Sequence, residues 1–301
     1  MLRRCGVRVL IIGATGVIGS RVVAALIARG DAVSAVSRSP ENRKRLEAAG
    51  ARAVDVDLFD SAALAAQLAG HDAVVNLATH VPPSSRALLP GAWRATNALR
   101  RTLPPRVAAA AAAARVARYV QESFAPVYPD RGDRWIDENV PIRPARYNRG
   151  VAAAEAAALS FPGGVVLRFG YFYGPDSDFT RDMIAMVRRG WSPLPGRPEA
   201  YTSPVSHDDA AGAVVAALGV PAGIYNVVDD EPVTHREFAG SLAALLGVRP
   251  PKFAPAWTAR LLGSIGQTLA RSQRISNRKL RGASAWAPKF PSVREGWRAI
   301  L

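Results

Sequence analysis

A doubly wound α/β fold with a parallel sheet is the fold class this sequence predicts, and three observations predict it. Apolar, β-branched runs alternate with helix-length segments as far as Phe169. The first run, Val7 to Ile12, is apolar almost throughout, as in a central strand buried on both faces. A glycine-rich turn, Gly13 to Gly19, then joins that strand to an alanine-rich helix.

The elements follow in order. Ser20 to Arg29 reads as the first helix, stopped by Gly30. Ala32 to Val36 is a second strand, and Glu41 to Ala49 a helix closed by Gly50. Ala53 to Val56 is a third strand. Ser61 to Leu68 is a third helix with Ser61 as its N-cap, and Ala73 to Leu77 a fourth strand. A helix near Arg106 to Arg115, a strand Arg118 to Gln121, a helix from Tyr147 to Leu159 and a strand Val165 to Phe169 continue the alternation. Pro104-Pro105 is expected to break the helix behind the site, because proline lacks the amide that a helix interior needs. Beyond residue 170 the prolines Pro193, Pro195, Pro198 and Pro204 mark a smaller, loop-rich region. A helix at Asp208 to Leu218 and a strand at Ile224 to Val228 return to the sheet. Ala254 to Ala270 reads as an apolar, core-packed helix. The expected division is 1–169 for the dinucleotide-binding core, with 205–228 rejoining it, and 170–204 with 229–301 for a substrate region.

Composition narrows the function classes. The chain has 301 residues, 49% of them hydrophobic, enough for one large core or two closely associated ones. No run approaches the ~18 apolar residues of a spanning helix. Met1 to Arg4 with Val7 to Ile12 imitates a signal peptide, but Gly13 follows at once, so no targeting segment is expected. The single cysteine, Cys5, fits a reducing cytoplasm. The net charge is +15, carried almost entirely by arginines scattered along the chain. A nucleic-acid footprint would gather on one face, so nucleic acid is not the expected partner. A small-molecule substrate is expected, with no membrane partner. His207-Asp208-Asp209 has no second histidine or cysteine at ligand spacing, and reads as a helix start capped by Ser206 or Asp208 rather than a metal site.

The glycine-rich turn carries the first chemistry. Gly13, Thr15, Gly16, Val17, Ile18 and Gly19 lie where a backbone must approach a pyrophosphate closely, at the positive end of the helix that follows. The second strand decides the dinucleotide. Where a site for NAD usually carries a carboxylate on the ribose, this strand ends Ser37-Arg38-Ser39. The Arg38 guanidinium suits the 2′-phosphate of NADP, with Arg43 one turn further on. Asp57 and Leu58, after the third strand, are placed for the adenine. Leu77, Ala78 and Thr79, after the fourth, are placed for the ribose and nicotinamide. NADP is therefore the expected cofactor, ahead of NAD.

With these residues in place, the chain resembles the extended short-chain dehydrogenase/reductases, the NAD(P)-dependent epimerase/dehydratase family. The glycine turn matches in spacing and position. Asp57, Asn76-Leu77-Ala78 and Asn97 match later landmarks. Leu167 to Gly170, Tyr173-Gly174-Pro175, Pro204 to Asp209 and Ile224 to Val227 carry the likeness over nearly the whole chain. The resemblance implies a Rossmann core, a C-terminal substrate region, oxidoreductase, epimerase or dehydratase chemistry, and a homodimer formed through a helix pair.

The resemblance also implies a tyrosine, a lysine four residues later and an upstream serine or threonine. The lysine favours the phenolate, and the hydroxyl orients the substrate oxygen. Tyr147 stands at the tyrosine position, but Val151 stands at the lysine position. Glu155 matches an acidic landmark of the family and secures that register. Arg149 is about 200° around an ideal helix and does not replace the lysine. Phe124 occupies the hydroxyl position, with Ser123 beside it. The catalytic candidates are therefore Tyr147 and Ser123, with Tyr128 and His80 as further helpers. The substrate-lining candidates are Phe172, Tyr173 and Arg181. Three readings stay open on sequence: an active enzyme with a reshaped site, a catalytically impaired NADP(H)-binding regulator, and an interaction protein without cofactor.

Overall fold

The computed structural model describes residues 6–89 and 91–301. Cys5 and the basic start Met1 to Arg4 lie outside the described residues. Seven strands form one sheet: β1 (Arg8–Ile12), β2 (Ala32–Val36), β3 (Arg52–Val54), β4 (Ala73–Asn76), β5 (Arg118–Phe124), β6 (Gly164–Phe169) and β7 (Gly223–Val227). Their order is β7-β6-β5-β4-β1-β2-β3, and every pair is parallel. The order reverses between β1 and β4, so a ligand crevice opens at the carboxyl ends of those two strands.

The helices are α1 (Val17–Ala28), α2 (Pro40–Ala48), α3 (Ser61–Leu68), α4 (Arg94–Ala113), α5 (Val151–Leu159), α6 (Asp178–Arg188), α7 (His207–Ala217), α8 (His235–Leu245), α9 (Gly263–Leu269), α10 (Arg278–Ala283) and α11 (Val293–Ile300). The pleat of β1 divides its side chains between two cores. Val9 and Ile11 join the cluster under α1 and α7, whereas Leu10 and Ile12 join the one under α3 and α4. Tyr173, Met183, Val187, Phe238, Leu242 and Trp297 build a further cluster among α6, α8 and α11. Within 205–228, α7 packs on α1, and β7 pairs with β6.

Several local expectations are corrected. α4 runs unbroken through Pro104 and Pro105. Burial of Asn97, Leu103, Pro104, Val107 and Ala111 along one face holds the helix where two amides are missing. The N-cap of α3 is Asp60, which accepts from the amides of Ala62 and Ala63, not Ser61. Ser206 is the cap of α7 and accepts from the Asp209 amide. The helix expected from Tyr147 begins only at Val151. Tyr147 itself sits on a 3-10 turn, Arg146–Asn148, with Gly150 as the helix cap. The 170–204 region contains α6, which the proline count had hidden. Ala254 to Ala270 is not one core helix. A 3-10 turn, Ala256–Arg260, and α9 are separated by Leu261 and Leu262. Leu261 is 74% exposed and Trp257 62% exposed, so this segment does not pack into a core along its length. Among the described residues no helix is long and apolar enough to cross a membrane.

Candidate active site

β1 delivers the chain to Gly13, whose φ of +86° suits glycine. A Cβ there would stand 2.7 Å from the Leu77 carbonyl carbon, so the turns after β1 and β4 touch. A Cβ on Gly19 would stand 2.1 Å from the Gly13 oxygen, which lets α1 pack directly on the turn. Around Gly16 there is room: the nearest atom to its Cβ position is 3.5 Å away. Gly16 caps α1 without any side-chain hydrogen bond, and the first turn of α1 carries no acidic residue. The amides of Val17, Ile18 and Gly19 have no acceptor among the described residues. Orphan amides, an open glycine and the positive end of a twelve-residue helix fit the pyrophosphate of a dinucleotide.

The rest of the cofactor crevice is built around this turn. β2 is held at its end by the Ser37 amide, which donates to the Val54 oxygen, and by the Ser37 hydroxyl, which donates to the Ser39 oxygen. Arg38 follows, exposed and in no ion pair among the described residues. Arg43, the second arginine, is already engaged with Asp55 at 3.6 Å. Asp57 is exposed and accepts from the Phe59 amide, while Leu58 packs on the core beneath α3. Leu77 donates its amide to the Ile12 oxygen, Ala78 donates to the Asn76 side chain, and Thr79 is exposed beyond them.

The expected catalytic groups are held differently. Ser123, at the end of β5, is buried, and its hydroxyl donates to Glu155 Oε1 at 2.5 Å. Glu155 takes both arms of Arg168, at 2.8 and 2.7 Å. Arg168 Nη1 also donates to the Tyr128 hydroxyl at 2.7 Å, and Tyr128 donates in turn to Asn226. Ser123 and Tyr128 are thus parts of a buried, hydrogen-bonded framework. Burial pushes the Tyr128 phenol up to about 12 despite Arg168 beside it. His80 is exposed. Phe124, at the family's hydroxyl position, meets the ring of Tyr171 edge-on at 5.8 Å.

Tyr147 is buried against Trp93, edge-on at 5.0 Å. Asn97 positions this turn. Its Nδ2 donates to the carbonyls of Trp93 and Tyr147, and its Oδ1 accepts from the Gly150 amide at 2.6 Å. Burial pushes the Tyr147 phenol up to about 12, and the nearby Arg271, Thr268 and Arg100 offset only part of that rise. Val151 is fully buried and places no charge beside it. Arg271 is a group that sequence reasoning missed. It donates to the carbonyls of Pro126, Tyr128 and Arg143, and nothing in its local pattern signals a role. The buried pair of Arg100 with Glu122, bidentate at 3.0 and 2.9 Å, was equally hidden.

Of the expected substrate lining, Phe172 is half-buried against Phe169 and His207. Tyr173 is fully buried, donates to Asp229 and has no surface to offer a ligand. Arg181 is exposed on α6 and paired with Asp178. A cleft of about 660 Å³ opens instead beside Tyr147. Its walls are the loop before α4, with Leu88, Leu89 and Trp93, and the start of α9, with Leu262 and Ile265.

A seven-stranded Rossmann sheet with orphan amides at the glycine turn defines a NAD(P)-binding protein. Comparison with known proteins agrees. Residues 13–161 match a family model described as NAD(P)H-binding. A 3-diazoavenalumate denitrifying reductase from Streptomyces sp is 36% identical over 306 aligned residues, covering 96% of this chain and 98% of the relative. The solved structure of human epimerase family protein SDR39U1 with NADPH superposes with a TM-score of 0.81 at 25% identity, covering 97% of this chain and 98% of that one. MoeE5 in complex with UDP-glucuronic acid and NAD superposes at 0.75 with 26% identity, covering 97% and 96%. The chain belongs to the extended short-chain dehydrogenase/reductase family, the NAD(P)-dependent epimerase/dehydratases.

Proposed function

We propose that this chain is an NADP(H)-dependent reductase whose substrate takes up hydride without a proton from the protein, an arenediazonium ion being the class that fits. The observation that carries the reading is the pairing of an intact dinucleotide cradle with a proton-poor catalytic corner. Val151 stands where a lysine would lower the phenol, and Tyr147 is pushed up to about 12 by burial. Phe124 replaces the hydroxyl that would orient a substrate oxygen.

A carbonyl develops negative charge on oxygen as it is reduced and needs a proton donor. An arenediazonium does not. The cation gains hydride, the aryl carbon–nitrogen bond breaks, dinitrogen leaves and an aryl C–H bond forms. One positive and one negative charge cancel, and no proton is consumed. Bound NADPH would supply the hydride. The protein's own residues would bind and orient it: the Val17 to Gly19 amides would hold the pyrophosphate, and Arg38 would hold the 2′-phosphate. Asn97 fixes the Tyr147 turn as a wall of the site. The 36% identical relative, a 3-diazoavenalumate denitrifying reductase, supports the same reaction class.

The test mixes the purified protein with NADPH and 4-carboxybenzenediazonium. The expected result is NADPH loss above the uncatalysed rate, with one benzoate formed for each NADPH consumed. Benzoate formed only at the uncatalysed rate, with NADPH bound, would instead favour a redox-sensing regulator.

A further inference from the structure

The cleft beside Tyr147 combines an apolar body with charges of one sign. Arg94, Arg101, Arg146 and Arg149 all line it, and no aspartate or glutamate does. None of the four makes an ion pair or a side-chain hydrogen bond among the described residues, although thirteen such ion pairs occur elsewhere. Four unpaired cations in one concavity make it a focus of positive potential. The body of the cleft is apolar, formed by Leu88, Leu89, Trp93, Leu262 and Ile265. Its neutral hydrogen-bonding capacity is small. Asn97 has its carbonyl oxygen and amide group committed to backbone partners, which leaves Ser264 and the Tyr147 hydroxyl. A sugar needs several such partners for its hydroxyls, because polar groups buried without them are costly. The volume, about 660 Å³, suits a ligand of moderate size.

We infer that this cleft takes an elongated aromatic or unsaturated carboxylic acid, its apolar body between α9 and the wall of Leu88, Leu89 and Trp93, and its carboxylate among the four arginines. The inference rests on the proposed reductase reading, for which it names the substrate class. In this reading the arginines engage the carboxylate, and they bind and orient without taking part in the chemistry.

The experiment titrates the full chain by calorimetry with 4-hydroxycinnamate, its neutral counterpart 4-hydroxycinnamyl alcohol and UDP-glucose, with NADPH titrated separately. The same titrations are repeated on the double variant Arg146→Gln, Arg149→Gln. The acid is expected to bind at least about tenfold tighter than the alcohol, with UDP-glucose giving no heat. The double variant is expected to lose about tenfold for the acid, with NADPH affinity and Tm unchanged. Equal binding of acid and alcohol, tighter binding of UDP-glucose, or an unaffected double variant would overturn the inference. Sedimentation with phosphatidylserine vesicles in place of acid binding would also overturn it, assigning the arginines and Leu261 to a lipid surface. Failure of the reductase reading looks different: NADPH would not bind, or the diazonium would not be reduced, while the acid still bound in an arginine-dependent way.

Discussion

The glycine cradle and the catalytic corner lie at the same edge of one sheet, yet they are built on opposite principles. The cradle is backbone left unsatisfied: Val17, Ile18 and Gly19 hold their amides open, and Gly16 leaves space in front of them. The corner is side chain fully committed: Ser123, Glu155, Arg168, Tyr128 and Asn226 satisfy one another in a buried chain. Open groups bind something that arrives, whereas closed groups hold a shape. The comparison teaches that a hydroxyl beside a family's catalytic position can be held by its hydrogen bonds to the scaffold. Ser123 then reads as framework, and Tyr147 as a wall.

Experiments can break or sharpen that contrast, beginning where the effect is largest. Glu155→Ala leaves Arg168 buried without its bidentate partner. It should cost about 3–5 kcal/mol of stability, measured by urea unfolding. A loss below about 1 kcal/mol would mean that the framework is not closed. Gly19→Val places side-chain carbon on the Gly13 oxygen. NADPH affinity should fall at least about a hundredfold, and calorimetry showing near-native affinity would remove the cradle from the cofactor site.

Acid provides a third probe. Burial lowers His207 and His235 to about 4 in the folded protein, against an ordinary value near 6.5. Both are neutral when folded, so their contribution is present above about pH 6.5 and is lost as pH falls toward about 4. On the order of 3 kcal/mol is at stake for each. Chemical unfolding at a series of pH values in that window should show the decline, and a flat profile would contradict their burial as neutral rings. Neither histidine belongs to the cradle, so NADPH binding in this window should weaken only as its own 2′-phosphate takes up a proton at about pH 6.

Arg38→Ala should weaken NADPH by about ten- to a hundredfold and leave NADH nearly unchanged. Equal weakening of both nucleotides would rule out the 2′-phosphate role. The smallest effect is expected at the residue that the family makes central. Tyr147→Phe should leave diazonium reduction within about threefold of the parent rate, and the rate should show no limb from this phenol below about pH 11. Abolished turnover would restore Tyr147 as the acid of an orthodox site and end the proton-free mechanism.

The sheet was legible because its signals are local. A strand such as Val9 to Ile12 announces itself by an apolar run, and the Gly13 to Gly19 turn by residues that permit a close approach. Where the signals were non-local, sequence reading failed. Pro104 and Pro105 carry a local rule against helix, and packing along α4 overrides it. Tyr147 and Val151 obey helical spacing on paper, but Asn97 pins the tyrosine onto a 3-10 turn ahead of the helix.

By itself, the sequence determined the parallel sheet and the glycine turn after its first strand, because period and glycine act within a few residues of the chain. Only the tertiary structure decided that Ser123 faces Glu155, that Tyr147 is buried against Trp93, that Tyr173 is core and that four arginines from two segments line one cleft. Those facts depend on which distant residues become neighbours, and burial and electrostatic coupling do not exist until the chain has closed around them.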